Sequence, residues 1–195
     1  MNLLNKLLLL TVCVAASSCT DNFEEINTDP NRPKEIYPGV LLSQLQYKMV
    51  NNTIGGARNF THEIMQVTAP RVSPVGGLHR YNITASTGTS FWNNTYQYMT
   101  DVEDLYTLSD RLFENNYKGI ALIYKAWAYS LLTDCFGYIP YSEAIRVTDG
   151  IFKPAFDDQQ SIYLQTLNDL ETANELLDDT KGLTYGGDMV YNALG

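Results

Sequence analysis

Cysteine, histidine and basic residues are the scarce commodities of this 195-residue sequence: three Cys, two His, and 13 Lys+Arg against 22 Asp+Glu, a net charge of −9. Cys13 falls within an apolar leader and Cys19 at its border, where it is expected to be modified, so Cys135 is left without a partner and no disulfide framework can be written. A catalytic cysteine would need an activating histidine, and only His62 and His79 are available, both in weakly patterned sequence. The acidic balance opposes phosphate tracking, so no nucleic-acid partner is expected. It also keeps the chain off anionic lipid by charge alone. G-x-S-x-G, H-E-x-x-H, C-x-x-C and G-x-G-x-x-G are all missing, so no enzyme activity and no cofactor is expected. The one long apolar run, Leu7 to Ala16, falls short of the about 20 residues that cross a bilayer.

That run sits in an address. Lys6 gives the positive start, Leu7 to Ala16 the apolar stretch, and Ala16-Ser17-Ser18 the small residues before Cys19. Residues 1–18 therefore read as a lipoprotein signal peptide whose removal leaves Cys19 to carry acyl chains. The alternative is an ordinary secretory signal cut nearby, with Cys19 unmodified. Several acyl chains at about 0.8 kcal/mol per buried methylene make a firm anchor. Residues 19–38, rich in Asp, Asn and Pro and without helical rhythm, read as a tether.

From residue 39 onward the rhythm is helical. Leu41, Leu45 and Met49, with Leu42 alongside, predict a helix over Val40–Met49; Phe60, Ile64 and Val67 predict another over Ala57–Val67, closed by Pro70. Trp92, Tyr96, Met99, Val102 and Tyr106 give a stripe over Phe91–Leu112. In the helix from Tyr117, the stripe is Ile120, Ile123, Tyr124, Trp127, Ala128, Leu131 and Cys135. Ala121, Ala126 and Ala128 are small enough for neighbouring helices to approach, and Gly137 and Pro140 end the run. On this reading Cys135 is a small buried hydrophobe. A short connection at Ser109–Asn116 makes these two helices antiparallel. Asp157 with Gln160 reads as a reciprocal cap for a last helix to about Leu177, burying Tyr163, Leu167, Leu170, Ala173 and Leu177.

The stretch Pro70–Gly88 is long and irregular, as binding loops often are. Arg71, His79, Arg80, Tyr81 and Asn82 offer planar donors, an amide and a flat ring, a kit suited to polar ligands such as sugars or peptides. The same residues would also serve as a solvated connector.

Two blocks carry a family resemblance: D-C-F-G-Y-I-P-Y-S-E-A at Asp134–Ala144, and K-P-A-F-D-D-Q-Q-S-I-Y-L-Q-T-L-N-D-L-E-T-A-N-E-L-L at Lys153–Leu177. In order and spacing they resemble the SusD/RagB-like family of nutrient-binding outer-membrane lipoproteins. The resemblance implies an all-α fold of tetratricopeptide-like helical hairpins with long irregular loops. It implies a function as well: a surface lipoprotein of the cell outer membrane that binds glycan oligosaccharides or peptides and passes them to a SusC-like TonB-dependent barrel. Trp92 becomes a candidate ring for stacking on ligand, although its phase with Tyr96 and Met99 also suits the core. Y-G-G-D-M-V-Y-N-A-L-G at the end resembles the family segment that precedes a further helix, so residues 39–195 are expected to be the front part of a longer fold. A lipid-anchored helical scaffold for a protein partner is the alternative function.

Overall fold

In a computed structural model, the structure describes residues 36–68, 71–72 and 76–191. The chain divides into Met1–Ile36 and Tyr37–Gly195, and everything below concerns the second unit. The signal peptide, Cys19, nearly all of the tether, and Pro70 lie outside the described residues.

Four main helices follow one another: α1 Pro38–Gly56, α2 Thr89–Arg111, α3 Asn115–Phe136 and α4 Gln159–Leu176. Each packs chiefly on the next, and the only β pairing among the described residues is one isolated bridge. The fold is all-α, as the sequence indicates. Pro38 starts α1, where a missing N–H costs nothing, and Leu42, Leu45 and Met49 bury one face.

The first two expected helices form one path. After Gly56 the chain continues through a π-type stretch, Ala57–Thr61, and a short turn, His62–Ile64. Poor helix formers at Asn51–Gly56 loosen the run without breaking it. Its end is at Gln66 and not at Pro70. Gln66 turns left-handed at φ 55, while the Val67 and Gln66 amides donate to the carbonyls of His62 and Glu63, the pairing of a Schellman turn. Phe113, at φ 58, repeats the device after α2, the Glu114 and Phe113 amides donating to Ser109 and Asp110. That tight turn sets α2 and α3 antiparallel.

The stripe expected for α3 is corrected. Ile123 and Cys135 are exposed and Ile120, Tyr124, Trp127 and Leu131 half-buried, while Tyr117, Ala121, Leu122, Tyr129 and Leu132 are buried. The reason is that α3 lies between α2 and α4 and buries two faces, each opened by small residues. A Cβ at Gly119 would lie 3.0 Å from Leu177 Cγ and 3.1 Å from the Ala173 carbonyl, so glycine lets α4 close on α3. Ala121, Ala126 and Ala128 are all buried, as expected of residues admitting neighbouring helices.

Two expectations for α4 also change. Its cap is Asp158, whose carboxylate accepts from the Ser161 amide (3.0 Å) and hydroxyl (2.6 Å). Asp157 is occupied elsewhere, bridging Ile139. The packed face is Ile162, Thr166 and Ala173; of the expected core residues only Ala173 is buried, and Tyr163, Leu167, Leu170 and Leu177 are exposed. The helix comes closest to α3 at Gly119, where the neighbours are Ala173 and the Leu177 side chain.

Beyond α4 the chain returns along α1 and α3. Asn116 accepts from the Asp178 amide and donates to the Asp178 and Lys181 carbonyls. The Tyr117 hydroxyl donates to the Gly186 carbonyl (2.6 Å) and accepts from the Tyr185 amide (3.0 Å). Tyr185 stacks on Tyr37 at 4.7 Å.

Candidate functional site

Where the end of α1 meets the start of α2, a cleft of about 380 Å³ opens. Asn51, Asn52, Asn59 and Asn94 line it with amides, and Phe60, Phe91 and Tyr98 with rings; Leu78 and the Ser86–Ser90 turn complete the wall. No charged side chain lines it, on a chain whose net charge is −9. Its floor is a chain of hydrogen bonds joining the two helices. Asn94 Nδ2 donates to Asn52 Oδ1 (3.3 Å), Asn52 Nδ2 to Thr95 Oγ1 (2.9 Å), and the Thr95 hydroxyl to the Phe91 carbonyl (2.7 Å). Tyr98 is held under Lys48, whose ammonium lies 5.9 Å from the ring centre and is itself paired to Asp101 at 2.7 Å. Asn51 and Asn59 make no side-chain hydrogen bond among the described residues. An array of fixed rings and amides, part of them committed to structure and part open, can bind a polyhydroxylated ligand by matching donors and acceptors.

The loop singled out in the sequence borders this cleft without filling it. Leu78–Arg80 forms one 3₁₀ turn packed on the end of the α1 path, with Gln66 Nε2 donating to the His79 carbonyl (3.1 Å). His79 is half-buried, its ring lying over Gly77, where a Cβ would meet Nδ1 at 2.5 Å. Arg71, Arg80, Tyr81 and Asn82 are exposed, and none of them lines the cleft. Tyr81 sits left-handed at φ 57 and closes the turn.

Trp92 is half-buried. Its ring meets Tyr96 at 5.0 Å, Phe136 edge-on at 5.1 Å and Phe156 near-parallel at 6.2 Å. Phe156 is exposed, with Phe152 and Tyr138 exposed on the same stretch of chain. The aromatic patch and the cleft share an edge at Gly88, which lines the cleft and whose Cβ would touch the Phe136 ring at 2.9 Å.

The four cleft asparagines, Asn51, Asn52, Asn59 and Asn94, are not among the binding residues expected from the sequence. The available signal was physical. Asparagine competes with the helical backbone for hydrogen bonds and is disfavoured inside helices, so several in α1 and α2 ask for another reason.

A larger hollow of about 790 Å³ lies between α3, α4 and the returning C-terminal stretch. Two of its three acids are already engaged. Hydrogen bonds from Lys181 and Thr180 hold Asp178 at about 2, and those from the Val190 amide and Gln46 hold Asp188 below its ordinary value. Elsewhere, burial pushes the phenols of Tyr96, Tyr129 and Tyr141 far up, reinforced by Asp157 at Tyr96, by the other two phenols at Tyr129, and by Asp169 at Tyr141. They therefore serve as donors, Tyr96 to the Pro140 carbonyl and Tyr141 to Asp169.

The fold and cleft together define an all-α, hairpin-built protein with an uncharged polar hollow at one end of its helices. The chain belongs to the SusD-like family, described as starch-binding and associating with the outer membrane, whose model matches residues 30–193. Among solved structures it is similar to a SusD homologue of Bacteroides fragilis, with 23% identity and a TM-score of 0.60 over 81% of this chain and 31% of that one. It is equally similar to an outer membrane protein of Bacteroides vulgatus inferred to take part in nutrient binding, with 23% identity and a TM-score of 0.60 over 80% and 32%. The chain thus spans about a third of the length of these structures. No curated protein matches it.

Proposed function

We propose that this chain belongs to an outer-membrane surface lipoprotein that binds a neutral glycan oligosaccharide and delivers it to a SusC-like TonB-dependent transporter, without making or breaking bonds in it. The single observation that carries the ligand class is the charge-free wall of amides, hydroxyls and rings around the cleft between α1 and α2. An oligosaccharide presents hydroxyls that both donate and accept, together with flat apolar ring faces. Asn51, Asn59, Phe60 and Tyr98 match both. A peptide brings charged termini, and the cleft holds nothing to neutralise them. The family description and the B. vulgatus protein's assignment support the outer membrane as the place of action. Cys19 would supply the lipid anchor.

Calorimetric titration of the chain with maltoheptaose, a charged galacturonate oligomer and a tripeptide tests the ligand class. Heat with the neutral glucan, lost in Asn59→Ala and Phe60→Ala at unchanged helicity, is the expected result. Heat with the tripeptide alone, or glucan heat indifferent to both substitutions, overturns it.

A further inference from the structure

We propose that Gly55 forms the floor of a subsite for one pyranose ring, on the reading that the cleft between α1 and α2 holds a neutral glycan. Among the described residues, four glycines lie in the main helices: Gly39, Gly55 and Gly56 in α1 and Gly119 in α3. A glycine inside a helix gives up stability relative to alanine, because it has more chain freedom to lose. Packing explains three of them. A Cβ would collide with the Tyr185 carbonyl at Gly39, lie 2.9 Å from the Phe91 ring at Gly56, and lie 3.0 Å from Leu177 at Gly119. At Gly55 it would meet nothing within 4 Å. The Gly55 backbone is helical, so no left-handed turn calls for glycine either.

What Gly55 does border is the cleft, whose wall includes it. The missing side chain leaves bare helix backbone there, and glycine suits a place where a ligand comes close to backbone. On the same face, Asn51 stands four residues before Gly55 and Asn59 four after, about 6 Å along the helix to either side. Both line the cleft and are exposed. A pyranose ring laid on that bare strip brings hydroxyls at its two edges to the two amides, each of which offers donors and an acceptor. The Phe91 ring, set against Gly56, bounds the strip on the α2 side. A substituent rising from the ring face that meets α1 would hold the ring off the backbone and away from both amides, so the subsite selects rings that are bare on that face.

Calorimetric titration of the full chain with maltoheptaose, beside thermal melts, tests the assignment. Gly55→Ala should melt about 2–4 °C above the parent, since the methyl has room and strengthens the helix. It should nevertheless bind maltoheptaose roughly ten-fold more weakly. Gly55→Leu should bind none at unchanged helicity. Ile54→Ala, altered next to Gly55 at a position that is 60% exposed and outside the cleft wall, should bind as the parent does, which separates the lost space from a stiffer helix. Equal affinity in the parent, Gly55→Ala and Gly55→Leu overturns the subsite and leaves the glycan reading of the cleft standing. A lower melting temperature in Gly55→Ala, or equal weakening in Ile54→Ala, overturns it too. No heat in the parent removes the glycan reading, and the subsite with it.

Discussion

The Asp157 carboxylate accepts from three donors on two consecutive residues: the amides of Tyr141 (2.9 Å) and Ser142 (2.8 Å), and the Ser142 hydroxyl, shared between both oxygens (2.9 and 3.1 Å). Ile139 and Asp157 exchange backbone bonds beside it, and Glu143 returns the favour by accepting from the Ala155 amide. The two sequence blocks that carry the family resemblance are therefore one object in space. Each supplies the carboxylate that the other's turn needs, which gives a physical reason for P-Y-S-E and F-D to occur together.

Removing that carboxylate should unlock the turn. Partial desolvation pushes the Asp157 carboxyl upward, but bonds from Ser142 and Tyr141 outweigh it and hold the group below its ordinary value. A depressed folded-state value means stabilisation that is complete above the unfolded carboxyl's titration and lost as pH falls through the folded one. Asp157→Ala is expected to cost about 2 kcal/mol at neutral pH, with the difference from the parent shrinking below about pH 4. Urea melts at neutral and acidic pH measure both; a difference that stays constant with pH would contradict the assignment.

Phe113 is 90% exposed and left-handed, so it bears backbone strain with little packing in return. A left-handed side-chain residue costs roughly 1–2 kcal/mol, which glycine escapes, less the extra chain entropy that glycine loses on folding. Phe113→Gly should therefore raise stability by about 0.5–1 kcal/mol, read as a rise in melting temperature. A fall would mean that the ring has a packing role.

Some helix boundaries were legible because their signals are local: Gly137, at φ 76, closes α3 as expected, whereas Pro38, read as the end of the tether, opens α1 two residues before the expected start. Burial on α3 was not, since a helix enclosed on two sides hides small residues such as Gly119 and Ala121 and leaves Ile123 outside. Counting large apolar residues then selects the wrong face. At the cleft, the expected loop contributes only Leu78 to the wall, which joins residues about forty positions apart, such as Asn52 and Asn94. No local pattern announces that meeting.

Gly39 and Gly187 touch backbone to backbone. A Cβ on Gly39 would collide with the Tyr185 carbonyl, and one on Gly187 with the Gly39 carbonyl. Both neighbours are main chain and cannot swing aside. Gly39→Ala should therefore lift the 183–189 stretch off α1, undoing the bonds from Ser43 to Gly187 and between Gln46 and Met189. The expected cost is about 1–3 kcal/mol. Hydrogen exchange should speed at the Tyr185 and Met189 amides while the α2 amides keep their protection. Unchanged exchange at those two sites would show that the segment tolerates the methyl.

Cys135 provides a chemical check on the corrected face of α3. It is exposed, so a thiol reagent should label it without denaturant. Partial burial, and then the neighbouring Asp134 carboxylate, push its thiol up, which keeps the reactive thiolate scarce at neutral pH. Labelling should accelerate as pH rises and in Asp134→Asn. A thiol that reacts only after unfolding would restore the buried reading.

The two candidate ligand surfaces can be separated by substitution. The asparagine cleft has no carboxylate or imidazole in its wall, so glucan binding through it should hold steady from about pH 5 to about pH 8 and be lost in Asn59→Ala. Binding through the loop set Arg71, His79, Arg80, Tyr81 and Asn82 would instead survive Asn59→Ala and be lost in Arg80→Ala/Tyr81→Ala, both at exposed positions. Affinity measured across that range, in the parent and in each variant, separates the surfaces. A flat profile abolished by Asn59→Ala assigns the ligand to the cleft; binding that survives Asn59→Ala and disappears in Arg80→Ala/Tyr81→Ala assigns it to the loop.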